Sequence, residues 1–515
     1  MALVALALIV ATLVACERAG SGPQDAGAGS AETRRAAAEP TPRPRIIILL
    51  SIDTLRADHL GAYGHERFTS PQLDALAAQG VLFEDASSTA PWTLPAHASM
   101  LTGLHPGAHG VRTQRTPLGE DVPTLPALLS AAGWQTAAVV NSTWLKRETF
   151  GTTRDFQHYE WVEDIKEKRT PTTWVTDRAI AWLRELGEAP LFLFMHYYDV
   201  HSDYASLPEY ERLLVTPYEG EADGTAWQLQ LANLEDEYVE LCHEDFDPKK
   251  CNFGTPEKPL FVDLSVDKVH FDSADLRHLE ELYDAGIRQL DAELGRFLRF
   301  LDEAGLAAET LLVVTSDHGE EFYDHGRVDH FLTQYQEVLN VPLLIRGPGV
   351  AQGLRVATPV SIVDIAPTLL ASAGVEIPAS LEGLDLAPLW RGEEGSRGDA
   401  QVRFAARYLY GEAPGGINWE RVVGGIAPLY RSIRQGRYKL IELEKDGLHY
   451  TFYDLAQDPG ERVDVSTEHP ALAARMRAVL RARAAAASNA SERAGEVDLD
   501  AEEAARLRAL GYIVP

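Results

Sequence analysis

Four apolar runs punctuate the chain, and each stops at a polar side chain. Residues 45–51 read RIIILLS and lead into Asp53. Residues 136–140 end at Asn141, residues 191–195 run into His196, Asp199 and His201, and residues 311–316 meet Asp317 and His318. Continuous leucine and β-branched runs of this length are expected of strands buried on both faces. Between them, residues 71–79, 124–132, 173–186 and 274–303 carry helical spacing. The alternation predicts an α/β fold, a large and mostly parallel sheet lying between helices. Ligands bind such sheets beyond the carboxyl ends of the strands. Asp53, Asp317, His318 and His201 are therefore expected on one rim. One Asp after a strand is commonly a helix cap; three runs ending in Asp or His favour a metal or phosphate site.

A fifth element, Trp92-Thr93-Leu94-Pro95-Ala96-His97 running on to Leu101-Thr102-Gly103, reads as a helix. Pro95 suits its first turn, Gly103 its end, and Thr93 stands where a cap belongs. A helix N-terminus attracts anions. A hydroxyl there is either a plain cap or, with a metal or base to lower its pKa, a nucleophile.

Composition narrows the class. The 515 residues are 45% hydrophobic and 24% charged, the balance of a soluble globular protein rather than a disordered, fibrous or polytopic membrane chain. The net charge of −30 argues against nucleic acid as a partner. Residues 2–15 are nearly all apolar and end in Leu13-Val14-Ala15-Cys16. This resembles a bacterial lipobox, so residues 1–16 are expected to be a lipoprotein-type signal with Cys16 as the lipidated residue. The protein is then exported and lipid-anchored to the cell envelope, on the periplasmic side or the cell surface. Residues 17–44, rich in Gly, Ala, Ser and Pro, read as a flexible tether. In an oxidising compartment, Cys242 and Cys251 are expected to close a local disulfide, two free thiols being the alternative.

Several of these motifs occur together in one known family. Ile52-Asp53-Thr54-Leu55-Arg56-Ala57-Asp58-His59, Thr93-Leu94-Pro95-Ala96-His97, Thr315-Ser316-Asp317-His318-Gly319-Glu320 and Gly436-Arg437-Tyr438-Lys439-Leu440 stand in the same order as in the sulfatases of the alkaline-phosphatase superfamily, which the chain resembles over roughly residues 45–465. The resemblance implies a catalytic domain over 45–395, with an insertion at 202–272 beside the pocket. A small C-terminal α+β subdomain over 396–465 and a helical tail over 466–515 follow, with strands expected at 431–443 and 450–455 and helices at 470–487 and 499–510. It implies that Asp53, Asp317, His318 and the Thr93 side chain hold one divalent cation: calcium, magnesium, manganese or zinc. It further implies that His201 acts as general acid toward the leaving group and that His330 contacts the transferred group. The substrate class implied is an anionic ester of a small molecule, glycan or lipid-linked alcohol, cleaved by in-line attack at sulfur or phosphorus.

One departure bears on mechanism. Formylglycine-bearing sulfatases have Cys or Ser at the nucleophile, followed by x-Pro-x-Arg; here the residues are Thr93 and His97. Oxidation of threonine gives a ketone, so no formylglycine is expected, and Thr93 and His97 enter the catalytic set as they stand. Threonine is the nucleophile in superfamily relatives that act on phosphorus. A Thr-nucleophile phosphodiesterase or phosphotransferase is one alternative, and a non-catalytic binding protein that kept the pocket is another. A second, His-rich metal site from His196, Asp199, His201 and His330 is a further possibility, the competing reading being pocket-lining hydrogen-bonding residues.

Overall fold

The apolar runs form the inner strands of one nine-stranded sheet. The computed structural model describes residues 43–162, 171–185, 187–233, 268–391, 409–413, 429–444 and 447–491. In chain order the strands are β1 (Ile46–Ile52), β2 (Val81–Ser87), β3 (Gln135–Val140), β4 (His158–Trp161), β5 (Leu191–Tyr197) and β6 (Thr310–Ser316). A two-stranded ribbon of β7 (Glu321–Phe322) and β8 (Val328–Asp329) comes next, then β9 (Asn340–Arg346), β10 (Leu354–Val356) and β11 (Val360–Ser361). The sheet order is β10-β2-β9-β6-β1-β5-β3-β4, with β11 also paired to β2. Only β9 runs against its neighbours, so the sheet is mixed and mostly parallel, as expected.

Period-two alternation splits the inner strands between two cores. Ile47, Leu49, Phe192, Phe194, Leu311 and Val313 face one side. Ile46, Ile48, Leu50, Leu193, Met195, Leu312 and Val314 face the other. Each side needs its own helical cover. On the second lie α1 (Pro71–Ala78), α3 (Pro171–Glu185) and the long α4 (Ser273–Glu303); on the first lie α2 (Thr93–Thr102) and α5 (Ile365–Ala373). α4 starts on a capping box, Asp272 accepting from the Ala274 and Asp275 amides while Asp275 accepts from the Asp272 amide.

The register fixes where the strands stop. Ser51 is level with His196 and with Thr315, and Ile52 with Tyr197 and with Ser316. Three central strands thus end at one height, so Asp53 and Asp317 leave the sheet side by side.

The C-terminal sheet joins β12 (Leu409–Ala413), β13 (Leu429–Gln435), β14 (Tyr438–Glu444) and β15 (Leu448–Asp454) in antiparallel order. The stretch 431–443, expected to supply strand, holds parts of two, because Gly436 (φ 57°) takes the left-handed conformation and folds the run into a hairpin. Met476 and Leu480 of α6 (Pro470–Ser491) pack on Ile433, Leu440 and Phe452. The leader and Cys16, the pair Cys242 and Cys251, and the helix expected at 499–510 lie outside the described residues. Among the described residues no helix is long and apolar enough to cross a membrane.

Candidate active site and cation centre

Asp53, Thr93, Asp317 and His318 meet at the sheet rim, all four at 0% exposure. Thr93 is not the cap that its position in the sequence indicated. Trp92 occupies the N-cap, its backbone extended, and Thr93 is the first helical residue of α2. Trp92 is held there by the rings of Trp144 and Phe331, at 5.2 and 5.0 Å between centroids. Relieved of capping, the Thr93 hydroxyl points at Asp53, 3.5 and 3.4 Å from its two carboxylate oxygens.

The imidazoles around these carboxylates are oriented from behind. His318 Nδ1 lies 2.9 Å from the Gly319 carbonyl oxygen, so it carries the proton and Nε2 presents a lone pair. That Nε2 stands 3.4 Å from Asp53 Oδ1 and 3.4 Å from Asp317 Oδ2 and has no hydrogen-bond partner, nor has Asp317 Oδ2. Burial, then the neighbouring His330, pushes His318 well below the usual imidazole range. Burial and the charge of Asp53 push Asp317 up. Two buried carboxylates beside neutral imidazoles, with bare donor atoms converging, are unfavourable without a cation. A tetrahedron with bonds of about 2.1 Å has edges of about 3.4 Å. The donors of Asp53, Asp317 and His318, all within 4.8 Å of one another, fit a divalent cation, and the Thr93 hydroxyl stands beside them against Asp53.

His97 lies beneath this cluster, not in front of it. Its Nδ1 bonds the Thr93 carbonyl oxygen (2.8 Å) and its Nε2 meets the Ser51 hydroxyl (3.0 Å). Burial and the neighbouring His196 hold its pKa well down, so the ring is neutral. With both nitrogens engaged, His97 supports the reacting centre through the Thr93 backbone and through its Nδ1, 3.5 Å from Asp317 Oδ2, a positioning role.

Around the mouth, His201 and His330 meet edge to face at 4.7 Å, and His330 lies 4.5 Å from the His318 ring. His201 Nδ1 approaches the Ser202 carbonyl oxygen (2.6 Å) and the Tyr198 hydroxyl (2.8 Å). His330 Nδ1 is 2.9 Å from both Glu320 and Asp329. Burial alone would lower His330, but the charges of Glu320 and Asp329 raise it well above the ordinary value, making it an imidazolium. Asp329 (φ 69°) and Phe331 (φ 102°) flank it in left-handed backbone, a strained setting for residues with side chains. Arg56 braces this loop from outside, binding Asp58, Asp324 (2.9 Å) and the Glu320 carbonyl oxygen (3.0 Å).

The His-rich set of His196, Asp199, His201 and His330 is not brought together. Asp199 takes a hydrogen bond from Thr172 at the start of α3. His196 turns inward, grouped with His97 and Asp317, while His330 is grouped with Glu320 and Asp329. Chain position is the cause: His196 lies within β5, level with Ser51 and beside Asp53, whereas Asp199 and His201 lie on the loop beyond. Sequence reasoning missed Glu320, Asp329, Asn141 and Ser51 as supports. Glu320, two residues after His318, and Asn141, at the end of an apolar run, carried a signal.

Comparison with known proteins agrees with this architecture. The sulfatase family model matches residues 45–375, and the model for the C-terminal part of N-sulphoglucosamine sulphohydrolase matches residues 323–486. A Delta 4,5-hexuronate-2-O-sulfatase of Bacteroides thetaiotaomicron is 25% identical over 458 residues, covering 84% of this chain and 86% of the relative. An N-acetylglucosamine-6-O-sulfatase of the same organism is 26% identical, covering 82% of each. The crystal structure of the phosphonate monoester hydrolase of Agrobacterium radiobacter shares the fold, with TM-score 0.63 at 23% identity over 86% of this chain and 96% of that one. With the family model spanning the sheet, the rim and the segments that carry Asp53, Thr93, Asp317 and His318, the chain belongs to the sulfatase family, and its chemistry is that of a sulfuric ester hydrolase.

Proposed function

We propose that Thr93 is the nucleophile of an exported, lipid-anchored, cation-dependent ester hydrolase whose substrate is an anionic ester carried by a saccharide or similar small alcohol. The observation that carries this reading is the Thr93 hydroxyl: fully buried, free of capping duty, and poised 3.4 Å from Asp53. The saccharide class rests on the relatives, named for hexuronate and N-acetylglucosamine sulfates. Export and anchoring rest on the apolar leader ending at Cys16.

When bound, the divalent cation supplies Lewis-acid polarisation of the ester and a lowered pKa for a coordinated hydroxyl. The residues do the rest. Thr93 Oγ1 attacks sulfur or phosphorus and loses its proton on the side of Asp53. His201, with Nδ1–H donated to the Ser202 carbonyl, gives its Nε2 proton to the departing alcohol oxygen as that bond breaks. His330, held as an imidazolium, balances the anionic oxygens during transfer. Water then attacks the covalent Thr93 ester, its proton returning to His201, and the bond to Thr93 Oγ1 breaks to release the acid as Thr93 Oγ1 takes back its proton from the side of Asp53.

Threonine favours phosphorus over sulfur as the centre attacked. A formylglycine hydrate expels sulfate by elimination, and a threonine ester has no such route. The test is matched hydrolysis of an aryl sulfate, an aryl phosphate, an aryl phosphonate monoester and a diaryl phosphate, with manganese, zinc or calcium. Each is run on the full chain, Thr93→Ala and Thr93→Ser. Turnover is expected to fall at least about 1000-fold in the alanine variant and to return partly in the serine variant. Turnover that survives in Thr93→Ala refutes the nucleophile and points to activated water.

A further inference from the structure

His196 satisfies none of the roles assigned so far, yet it is fully buried at the rim. Its Nδ1 faces Asn141 Oδ1 at 3.2 Å. An amide oxygen has no hydrogen to give, so Nδ1 carries the proton and Nε2 presents a lone pair. That lone pair stands 3.4 Å from Asp53 Oδ2 and has no hydrogen-bond partner. The arrangement repeats that of His318, whose bare Nε2 lies at the same 3.4 Å from the other oxygen, Asp53 Oδ1. One carboxylate is therefore flanked on its two oxygens by two imidazoles, each protonated on its outer nitrogen. Lone pairs facing a carboxylate repel it, and burial removes water as an alternative partner. His97, the other ring nearby, cannot play this part, because both its nitrogens are engaged.

We propose that His196 is a further ligand of the cation held by Asp53, Asp317 and His318. We further propose that the resulting set of two imidazoles and two carboxylates selects a zinc- or manganese-type cation over calcium. Calcium takes oxygen donors in sets of six to eight, whereas imidazole suits zinc and the neighbouring transition metals. Asn141 is then the residue that orients a ligand, as outer hydrogen bonds commonly do for metal-bound histidine. The proposal rests on the cation reading of the Asp53 cluster.

The test uses full-length chain stripped of cations with a chelator, then titrated by calorimetry with zinc, manganese and calcium. Cobalt is added separately and its visible absorption recorded. His196→Ala, His196→Gln and Asp317→Asn are run beside the parent, with circular dichroism to confirm folding. Zinc affinity is expected to fall at least about 100-fold in both His196 variants. The cobalt bands are expected to shift in position and intensity, and weak calcium binding to change less than about threefold. Folded His196 variants with parental zinc affinity and cobalt spectrum, beside an Asp317→Asn chain that no longer binds, overturn this inference alone. Should His196→Ala fail to fold, His196→Gln decides in the same terms. Parental binding in Asp317→Asn, or a parent that prefers calcium, overturns the cation reading or the selectivity respectively.

Discussion

Replacing Asp317 by Asn should make the protein more stable than the parent without cation and less stable than the parent with it. The ligand atoms of Asp53, Asp317 and His318 all lie within 4.8 Å of one another. Two full charges at that separation repel by at least about 3 kcal/mol at an effective dielectric of about 20. Burial and Asp53 together push the Asp317 carboxyl upward, so a bound proton relieves part of this in the cation-free state. Asparagine keeps the Oδ1 acceptor that meets the His318 amide at 3.0 Å and removes the charge. The cation-free variant should therefore be more stable than the cation-free parent by about 1–3 kcal/mol. With cation present at about 1000 times its dissociation constant, the parent gains about 4 kcal/mol that the variant lacks. Urea unfolding with chelator and with saturating manganese or zinc measures both differences on the same chains. A parent indifferent to chelator refutes the cation site. A variant less stable than the parent in chelator refutes the claim that two unbalanced carboxylates are buried there.

Two further predictions concern groups away from the rim. Asp291 accepts the Gln72 and Leu73 amides at 3.0 and 2.9 Å, capping α1, and burial raises its carboxyl to about 6. The folded state thus holds that proton more tightly than the unfolded chain. Its contribution is full below about pH 4 and is lost as pH rises through about 6, worth roughly 3 kcal/mol. Unfolding of Asp291→Asn across that window should lack this slope, and an unchanged slope would sink the assignment. Lys439 and Glu461 form a 2.8 Å ion pair with side chains at 2% and 0% exposure. Lys439→Met should cost about 3–5 kcal/mol by stranding the carboxylate. Adding Glu461→Gln, which keeps the acceptor for the Gln336 amide at 2.7 Å, should recover most of that, read by urea midpoints.

What the chain's pattern could tell, it told through strand ends. Runs of buried leucine and isoleucine have one stable placement, inside a sheet covered on both faces, and a polar residue after each run has to emerge at the rim. Asp53, Asp317 and His318 were legible for that reason, and the mixed α/β fold with them. The short supports were not. Glu320 and Asp329 hold His330 only because the ribbon of β7 and β8 folds back, and nothing in two residues of strand announces it. Thr93 read as a cap because its spacing from Pro95 allows one. The aromatic packing of Trp92 on Trp144 and Phe331, from distant segments, moved the cap back by one residue.

His196 shows the limit most clearly. In the sequence it is one histidine among three polar residues after an apolar run. Its direction depends on β5 pairing with β1 so that His196 is level with Ser51, and with β3 so that Met195 is level with Val139. A slip of one residue would turn Tyr197 toward Asp53 and send His196 into the opposite core. The same register brings Asn141, just past the end of β3, onto the ring's far nitrogen. Pairing between distant segments, with Ser51 145 residues from its partner His196, therefore decides whether this ring is a ligand or packing, and a metal titration is the measurement that reads that register as chemistry.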